Sequence, residues 1–322
     1  MLSRRDLLAG ALGAAVLARR TPAVHAAASQ PTTPVQFELP TGSCDCHTHI
    51  FGDARRFPFA AQRVYTPEPA SIAEMRALHR ALHMDRVVIV QPSVYGTDNA
   101  CTLDAVRQLA PRARAIAVID EKTPPAALDA MHAEGVRGIR LNLATSGQTD
   151  PAAARDRLKR AIEQLGGRGW HIQMYTGMAI VDAIRDQVAV SPIPIVFDHF
   201  AGAQAALGTG QPGFDALLAL VRSGRAYVKI SGAYRSSNAR PDYADAAPLA
   251  KALIAANPQR ILWGSDWPHP DSSIVAGRKA TDIAPLLPID DGRVLNQLAA
   301  WAPDAAQRKT ILVDNPARLY GF

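Results

Sequence analysis

Residues 171–200 read HIQMYTGMAIVDAIRDQVAVSPIPIVFDHF and contain a complete strand–helix–strand unit. Two short apolar runs, at 171–176 and 194–200, flank a longer helix-like segment at 179–188. Buried strands that alternate with helices are typical of a parallel sheet covered on both faces. This stretch therefore predicts a parallel α/β architecture.

The same unit recurs along most of the chain. The strand candidates are 43–50, 85–91, 113–119, 136–143, 171–176, 194–200, 226–231 and 261–265. Helix-like stretches lie at 71–83, 99–109, 125–134, 150–167, 179–188, 214–223, 243–256, 293–301 and 304–313. Eight strand–helix pairs in roughly 280 residues fit a closed (β/α)8 TIM barrel of ordinary size. An open doubly wound sheet is the alternative, but no Gly-x-Gly-x-x-Gly follows the first strand.

Composition and charge exclude several classes of protein. The 322 residues are 48% hydrophobic and 20% charged with three cysteines, which excludes a disordered chain, a collagen-like repeat and a disulfide scaffold. The net charge is +6, and half of it lies in residues 1–28. The remaining surplus is too small to indicate nucleic-acid binding. Cys44, Cys46 and Cys101 are expected to be buried free thiols.

The N-terminal residues 1–28 resemble an export signal. A Ser-Arg-Arg-Asp-Leu-Leu sequence at 3–8 precedes a short apolar core, and an Ala-x-Ala-like exit ends at Ala28. The adjacent arginines are similar to a twin-arginine signal, so we expect the twin-arginine export machinery as a partner and a periplasmic location. Residues 29–42 are expected to form a linker and 43–322 the barrel. The sequence predicts no membrane span in the mature protein.

Polar residues gather where the predicted strands end, which is where active sites lie in such barrels. His47 and His49 are two apart at the end of the first strand, so both side chains point the same way. His199 ends the sixth strand and Asp266 follows the eighth. These four side chains are expected to meet. Other polar residues near strand ends are Ser93, Arg140, Tyr175, Arg235 and His269.

Longer strings around these residues resemble a known family. The His-x-His pair, the Asp-His at 198–199 and the Trp-Gly-Ser-Asp-Trp-Pro-His at 263–269 resemble the amidohydrolase superfamily. Cys-His-Thr-His-Ile-Phe-Gly at 46–52 and Arg-Val-Tyr-Thr-Pro at 63–67 resemble its lactonase branch. That branch opens the lactones 2-pyrone-4,6-dicarboxylate and 4-sulfomuconolactone with water. The resemblance implies a hydrolase that acts on a small anionic lactone.

Lactone opening requires an activated water, a polarised carbonyl and countercharge for the acid groups of the substrate. Asp266 suits the general base, while His47, His49 and His199 are expected to polarise the carbonyl. The expected substrate-binding residues are Arg140 and Arg235, which suit carboxylate or sulfonate, with Tyr175, Ser93 and His269 as hydrogen-bond donors. His269 is equally well read as an ordinary loop histidine.

The same four catalytic candidates, His47, His49, His199 and Asp266, would suffice to hold one divalent metal such as Zn²⁺. Metal-dependent members of the superfamily commonly have a further histidine at the end of the fifth strand, where this chain has Tyr175. The resemblance to the dicarboxylate enzyme implies catalysis without a metal. Both readings stay open at the level of sequence.

Two places in the sequence bear on which lactone the chain would open. The dicarboxylate enzyme has further arginines at places where this chain has Ser146 and Phe-Ala-Gly at 200–202. A lactone with one acid group, a sulfonated muconolactone or a sugar-acid lactone therefore fits better. The alternatives are a metal-dependent decarboxylase or amide hydrolase, a sugar-acid lactone isomerase, and a binding protein without catalysis.

Overall fold

The computed structural model describes residues 28–273 and 275–322. The predicted signal peptide lies outside the described residues except for Ala28. Within the described residues, no helix is long and apolar enough to cross a membrane.

Eight parallel strands form one sheet in chain order, each paired with the next. They are β1 Cys44–Thr48, β2 Arg86–Val90, β3 Ala113–Ala117, β4 Val136–Asn142, β5 His171–Tyr175, β6 Ile195–Phe197, β7 Ala226–Ser231 and β8 Ile261–Gly264. Where the end of β1 meets the segment after β8, the Asp266 N–H donates to the His47 carbonyl at 2.8 Å, and the His49 N–H to the Trp267 carbonyl at 2.8 Å. These bonds join the first strand to the last, and the barrel prediction is confirmed.

Helices connect the strands and cover the outside of the barrel. They are α1 Ile72–Ala81, α2 Ala100–Leu109, α3 Pro125–Ala133, α4 Pro151–Leu165, α5 Met178–Ala189, α6 Phe214–Arg222, α7 Ala233–Ser236, α8 Ala247–Ala256, α9 Asp291–Trp301, α10 Ala305–Lys309 and α11 Asn315–Tyr320. The predicted helices agree with these bounds to within a few residues, except that α8 begins four residues after its predicted start and α10 ends four residues before its predicted end. The short helices α7 and α11 were not predicted. Two further strands, Thr66–Pro67 and Ile283–Ala284, pair with each other away from the barrel sheet.

A small apolar cluster fills part of the barrel interior. Cys44 and Cys46 pack there with Val88, Val90 and Ile116. The three cysteines are buried and free, as expected. The register of β1 against β2 shifts between Asp45 and Thr48, where one extra residue is accommodated. Such a bulge changes the phase of the strand, so the two cysteines and the two histidines can all face the interior.

Residues 29–42, predicted as a linker, run extended along the outside of the barrel. Thr32 and Thr33 both bond to the Asp290 carboxylate at the start of α9. Ser29 accepts a hydrogen bond from the Trp267 indole at 3.0 Å. This segment is therefore attached to the part of the chain that follows β8.

Candidate active site

Four side chains from three strand ends meet at one point in the upper barrel. The Nε2 atoms of His47, His49 and His199 lie 3.6, 3.7 and 3.7 Å from the same atom, Oδ1 of Asp266. None of the four residues is more than 3% exposed. The structure thus brings together all four residues predicted as catalytic.

The backbone is unusual where these side chains are presented. His199 and Asp266 adopt positive φ values of 50° and 67°, which non-glycine residues seldom do. Gly232, which follows β7, passes so close that an added Cβ would lie 2.9 Å from Asp266 Oδ2 and 3.0 Å from His199 Nδ1. Strained residues of this kind cluster at functional sites, where the surrounding structure holds them in place.

The two carboxylate oxygens of Asp266 have different surroundings. Oδ2 accepts hydrogen bonds from the Tyr234 hydroxyl at 2.6 Å and the Arg235 Nε–H at 2.5 Å. Oδ1 is buried and accepts no hydrogen bond from any described residue. Burial alone would raise the pKa of Asp266, but Arg235 and the nearby histidines hold it well below its usual value. Asp266 is therefore an anion whose free oxygen faces the three imidazoles.

The histidines are uncharged at neutral pH, and their outer nitrogens have defined partners. Burial lowers the pKa of His47 and His49, and that of His199 to about 4. His49 Nδ1 lies 2.7 Å from the Val90 carbonyl, which can only accept, so its single proton is on Nδ1. Its Nε2 therefore presents a lone pair to the centre of the site. His199 Nδ1 lies 2.9 Å from the Ser231 hydroxyl, which can donate or accept.

A second group of buried polar residues lies beneath the histidines. Lys229 Nζ donates to Gln173 Oε1 at 2.6 Å, and Gln173 Nε2 donates to Asp198 Oδ2 at 2.9 Å. Arg140 Nε lies 3.5 Å from the same Asp198 oxygen. No sequence reasoning assigned a role to Lys229, Gln173 or Asp198. The available signal was a lysine and a glutamine inside otherwise apolar strands.

The predicted anion-binding residues surround Tyr175. The guanidinium carbons of Arg140 and Arg235 lie 5.6 and 5.8 Å from the centre of its ring, and the ring packs edge-on against His199. Ser93 begins a short 3-10 turn after β2 and interacts with Tyr65. Burial raises the pKa of Tyr65 to about 12, so its hydroxyl keeps its proton and can donate. Tyr65 was not predicted to have a role, although it lies in the Arg-Val-Tyr-Thr-Pro motif at 63–67.

A cavity of about 630 Å³ lies next to the side chains that contact the four catalytic candidates. Its wall includes Tyr175, Tyr234, Arg235, Asn238 and Arg240. Tyr234 and Arg235 both line this cavity and bond to Asp266, so they lie between the carboxylate and the opening. These two side chains therefore connect the wall of the cavity to the catalytic carboxylate.

His269 does not join the four catalytic candidates. It is fully buried, and its Nε2 lies 2.9 Å from Asp291 Oδ2 at the start of α9. Its ring packs edge-on against Tyr234. The structure therefore places His269 behind Tyr234, as a support for that side chain, and the prediction that it donates to substrate has no geometric support.

Some of these residues could hold a metal ion. Two sets, His47–His49–Asp266 and His47–Asp198–His199, each have potential ligand atoms within 4.8 Å of one another. Three imidazole nitrogens and one carboxylate oxygen are a donor set that suits zinc. The same region contains two buried cations, Arg140 and Lys229, and the partly buried Arg235, against the two carboxylates of Asp198 and Asp266.

Comparison with known proteins places these observations in a family. The amidohydrolase family model matches residues 44–322. A 4-sulfomuconolactone hydrolase from Hydrogenophaga intermedia is 34% identical over 89% of this chain and 91% of its own length. A 2-pyrone-4,6-dicarboxylate hydrolase from Comamonas testosteroni is 32% identical over 91% of this chain and 94% of its own.

Two further proteins extend the comparison. A D-galactarolactone isomerase from Agrobacterium fabrum is 30% identical over 77% of this chain and 80% of its own length. The crystal structure of a Pseudomonas putida protein described as a 2-pyrone-4,6-dicarboxylic acid hydrolase superposes with a TM-score of 0.73, at 32% identity. That match covers 88% of this chain and 98% of the other.

Proposed function

This chain belongs to the amidohydrolase family, and from that premise we propose that it is a hydrolase that opens a small anionic lactone with water. The names of the relatives support this reaction class. The observation that carries the proposal is the free, buried Oδ1 of Asp266, which faces three imidazole nitrogens. A buried carboxylate that accepts nothing from the protein on one oxygen is placed to take a proton from a bound water.

In the proposed reaction, Asp266 Oδ1 removes a proton from water as the water oxygen attacks the lactone carbonyl carbon. The bond between the carbonyl carbon and the ring oxygen then breaks, and Asp266 gives the proton that it took from water to the ring oxygen as it leaves. Hydrogen bonds to the carbonyl oxygen strengthen as its negative charge develops. His49 in its neutral form has no proton on Nε2, so we assign it as an acceptor that orients the water rather than as a donor.

The acid groups of the substrate are proposed to lie against Arg140, Arg235 and Tyr175. The ionic groups of the site, with the partly buried Arg235 included, carry one surplus positive charge when the histidines are neutral, which favours an anion. Arg240 lines the cavity and forms no ion pair with any described residue. It can therefore meet a second, more distant acid group such as a sulfonate.

We propose that the side chains act without a metal. Zinc at His47, His49, His199 and Asp266 would supply a Lewis acid for the carbonyl and a lower pKa for the bound water. The donor atoms suit it, but the cation would enter a buried site that already has a surplus of positive charge. Burial of uncompensated charge is costly.

The test is a panel of muconolactones, pyrone carboxylates and sugar-acid lactones, assayed for ring opening in ¹⁸O-labelled water with and without prior chelation. We expect the product to gain one ¹⁸O in its carboxylate and the rate to be unchanged by chelation. An isomerase, as one relative is named, would return a lactone without label. Loss of activity on chelation, with recovery on added zinc, would contradict the metal-free proposal. If no lactone in the panel were opened, the reaction class would be wrong.

We also propose that the chain is exported to the periplasm by the twin-arginine machinery, on the basis of residues 1–28. Replacement of Arg4 and Arg5 by lysine is expected to abolish export, because the adjacent arginines are the feature that the machinery reads. The matched control is the same change at Arg19 and Arg20, which lie after the apolar core. Fractionation of bacterial cells with and without the translocase measures the result, and export in cells that lack it would refute the proposal.

A further inference from the structure

Lys229 is fully buried and has no role in the reaction proposed above. It lies on β7, and its Nζ is close to three potential acceptors. These are Gln173 Oε1 at 2.6 Å, His47 Nδ1 at 3.3 Å and Asp198 Oδ1 at 3.4 Å. An ammonium group has three N–H bonds and no acceptor capacity. Gln173 Oε1 and His47 Nδ1 lie in hydrogen-bond geometry with Nζ, and the Asp198 carboxylate supplies the opposite charge that a buried ammonium requires.

The position of the His47 proton depends on whether its Nδ1 accepts from Lys229 or donates to Asp198. Asp198 Oδ1 lies 3.2 Å from His47 Nδ1, yet it receives no hydrogen bond of acceptable geometry from any described residue. The contact between Lys229 and His47 does meet hydrogen-bond geometry. His47 Nδ1 is thus better placed to accept from Lys229 than to donate to Asp198. A neutral imidazole that accepts on Nδ1 carries its proton on Nε2.

We propose that Lys229 is a positioning residue that makes His47 the hydrogen-bond donor of the active site. His47 Nε2 is buried and has no hydrogen-bond partner among the described residues, so its proton points into the site. The Val90 carbonyl keeps the His49 proton on Nδ1, so His49 Nε2 presents a lone pair to the same point. The two histidines of the His-x-His pair thus have different roles, which their Nδ1 partners decide. His47 donates to the lactone carbonyl, while His49 accepts from the attacking water.

This inference rests on the proposed function for its catalytic meaning, but the proton position can be measured in the resting enzyme. Long-range ¹H–¹⁵N NMR of histidine-labelled protein distinguishes protonated from unprotonated ring nitrogens. The chain has nine histidines, and the His47 and His49 signals can be assigned by their loss in H47Q and H49Q. We expect protonated Nε2 for His47 and protonated Nδ1 for His49. A protonated Nδ1 on His47 in the wild type would overturn the proposal, as would zinc bound through its Nε2.

The second measurement uses K229M, which keeps an unbranched side chain, shorter by one atom, and removes its charge and donors. We expect the His47 proton to move to Nδ1, where it faces Asp198, while the His49 signals stay unchanged. We expect kcat to fall about 10–100-fold, the range found when a partner that orients a metal-bound histidine is removed, with KM altered less than about threefold. The control is K251M, which removes an exposed lysine from α8.

The outcomes separate this inference from the reaction class. A wild-type spectrum with Nε2–H on His47, together with no lactone activity, would support the role of Lys229 and refute the proposal that the chain hydrolyses lactones. An unchanged kcat in folded K229M would refute the catalytic role of Lys229. If K229M fails to fold, the wild-type spectrum alone still decides where the proton lies.

Discussion

Replacement of Asp266 by asparagine is expected to lower kcat by about 10²–10⁴-fold, the usual contribution of a general base. The amide oxygen of asparagine can still accept from Tyr234 and Arg235, as Oδ2 does now. The amide nitrogen would then occupy the place of Oδ1, close to all three imidazoles. An amide nitrogen cannot take a proton from water, so attack on the carbonyl loses its base.

The same variant separates an enzyme from a binding protein. A binding protein would keep its affinity for the lactone and would show no turnover before or after the change. The control is D186N, at an exposed residue on α5. Circular dichroism and thermal unfolding would establish that D266N is folded. Turnover within threefold of the wild type in folded D266N would remove Asp266 from the mechanism.

Replacement of Arg235 by methionine is expected to move the acid limb of the pH profile of kcat/KM to higher pH. Among the neighbours that lower the pKa of Asp266 against its burial, Arg235 has the largest effect. Without it the pKa rises, and the base becomes protonated as the pH falls through the new value. In the wild type the pKa of Asp266 is well below its usual value, so the base stays ionised at mildly acidic pH. Below the new pKa, the activity of the variant is expected to fall about tenfold per pH unit.

The pH dependence distinguishes this effect from simple loss of substrate binding. If Arg235 acts only on the acid group of the substrate, R235M raises KM by a similar factor at every pH. If it also keeps Asp266 ionised, the loss of kcat/KM grows as the pH falls. The control is R185M, which breaks an exposed pair with Asp182 that lies 2.9 Å apart. Exposed pairs of this kind contribute little, and we expect an unchanged profile.

Much of the fold was predictable because buried parallel strands have a simple signature. Each of the eight strands lies within a predicted apolar run, and the helices follow in the expected intervals. Side-chain period and the position of strand ends in a barrel were enough to select His47, His49, His199 and Asp266 from a chain of 322 residues. The register shift in β1 was not predictable, because nothing in the local pattern distinguishes a bulge from a regular strand.

The supporting residues were harder to find. Tyr234 follows β7 beside a predicted arginine, but its bond to Asp266 depends on a left-handed turn at Gly232 and on the path of the chain after β8. His269 is three residues after Asp266 in sequence, yet its ring bonds to Asp291 of α9 and does not join the catalytic candidates. Distance along the chain does not indicate which partner a buried polar group finds.

The sequence by itself determined the architecture, the family resemblance and the four groups that converge, because apolar periodicity and strand ends are local properties. Tertiary structure alone decided which atom of each group is free to act. Oδ1 of Asp266 is available because Tyr234 and Arg235 occupy Oδ2. Val90 determines the proton position on His49, and we infer that Lys229 does so on His47. A hydrogen bond forms only within a few tenths of an ångström and a narrow range of angles, and packing between distant strands sets that geometry.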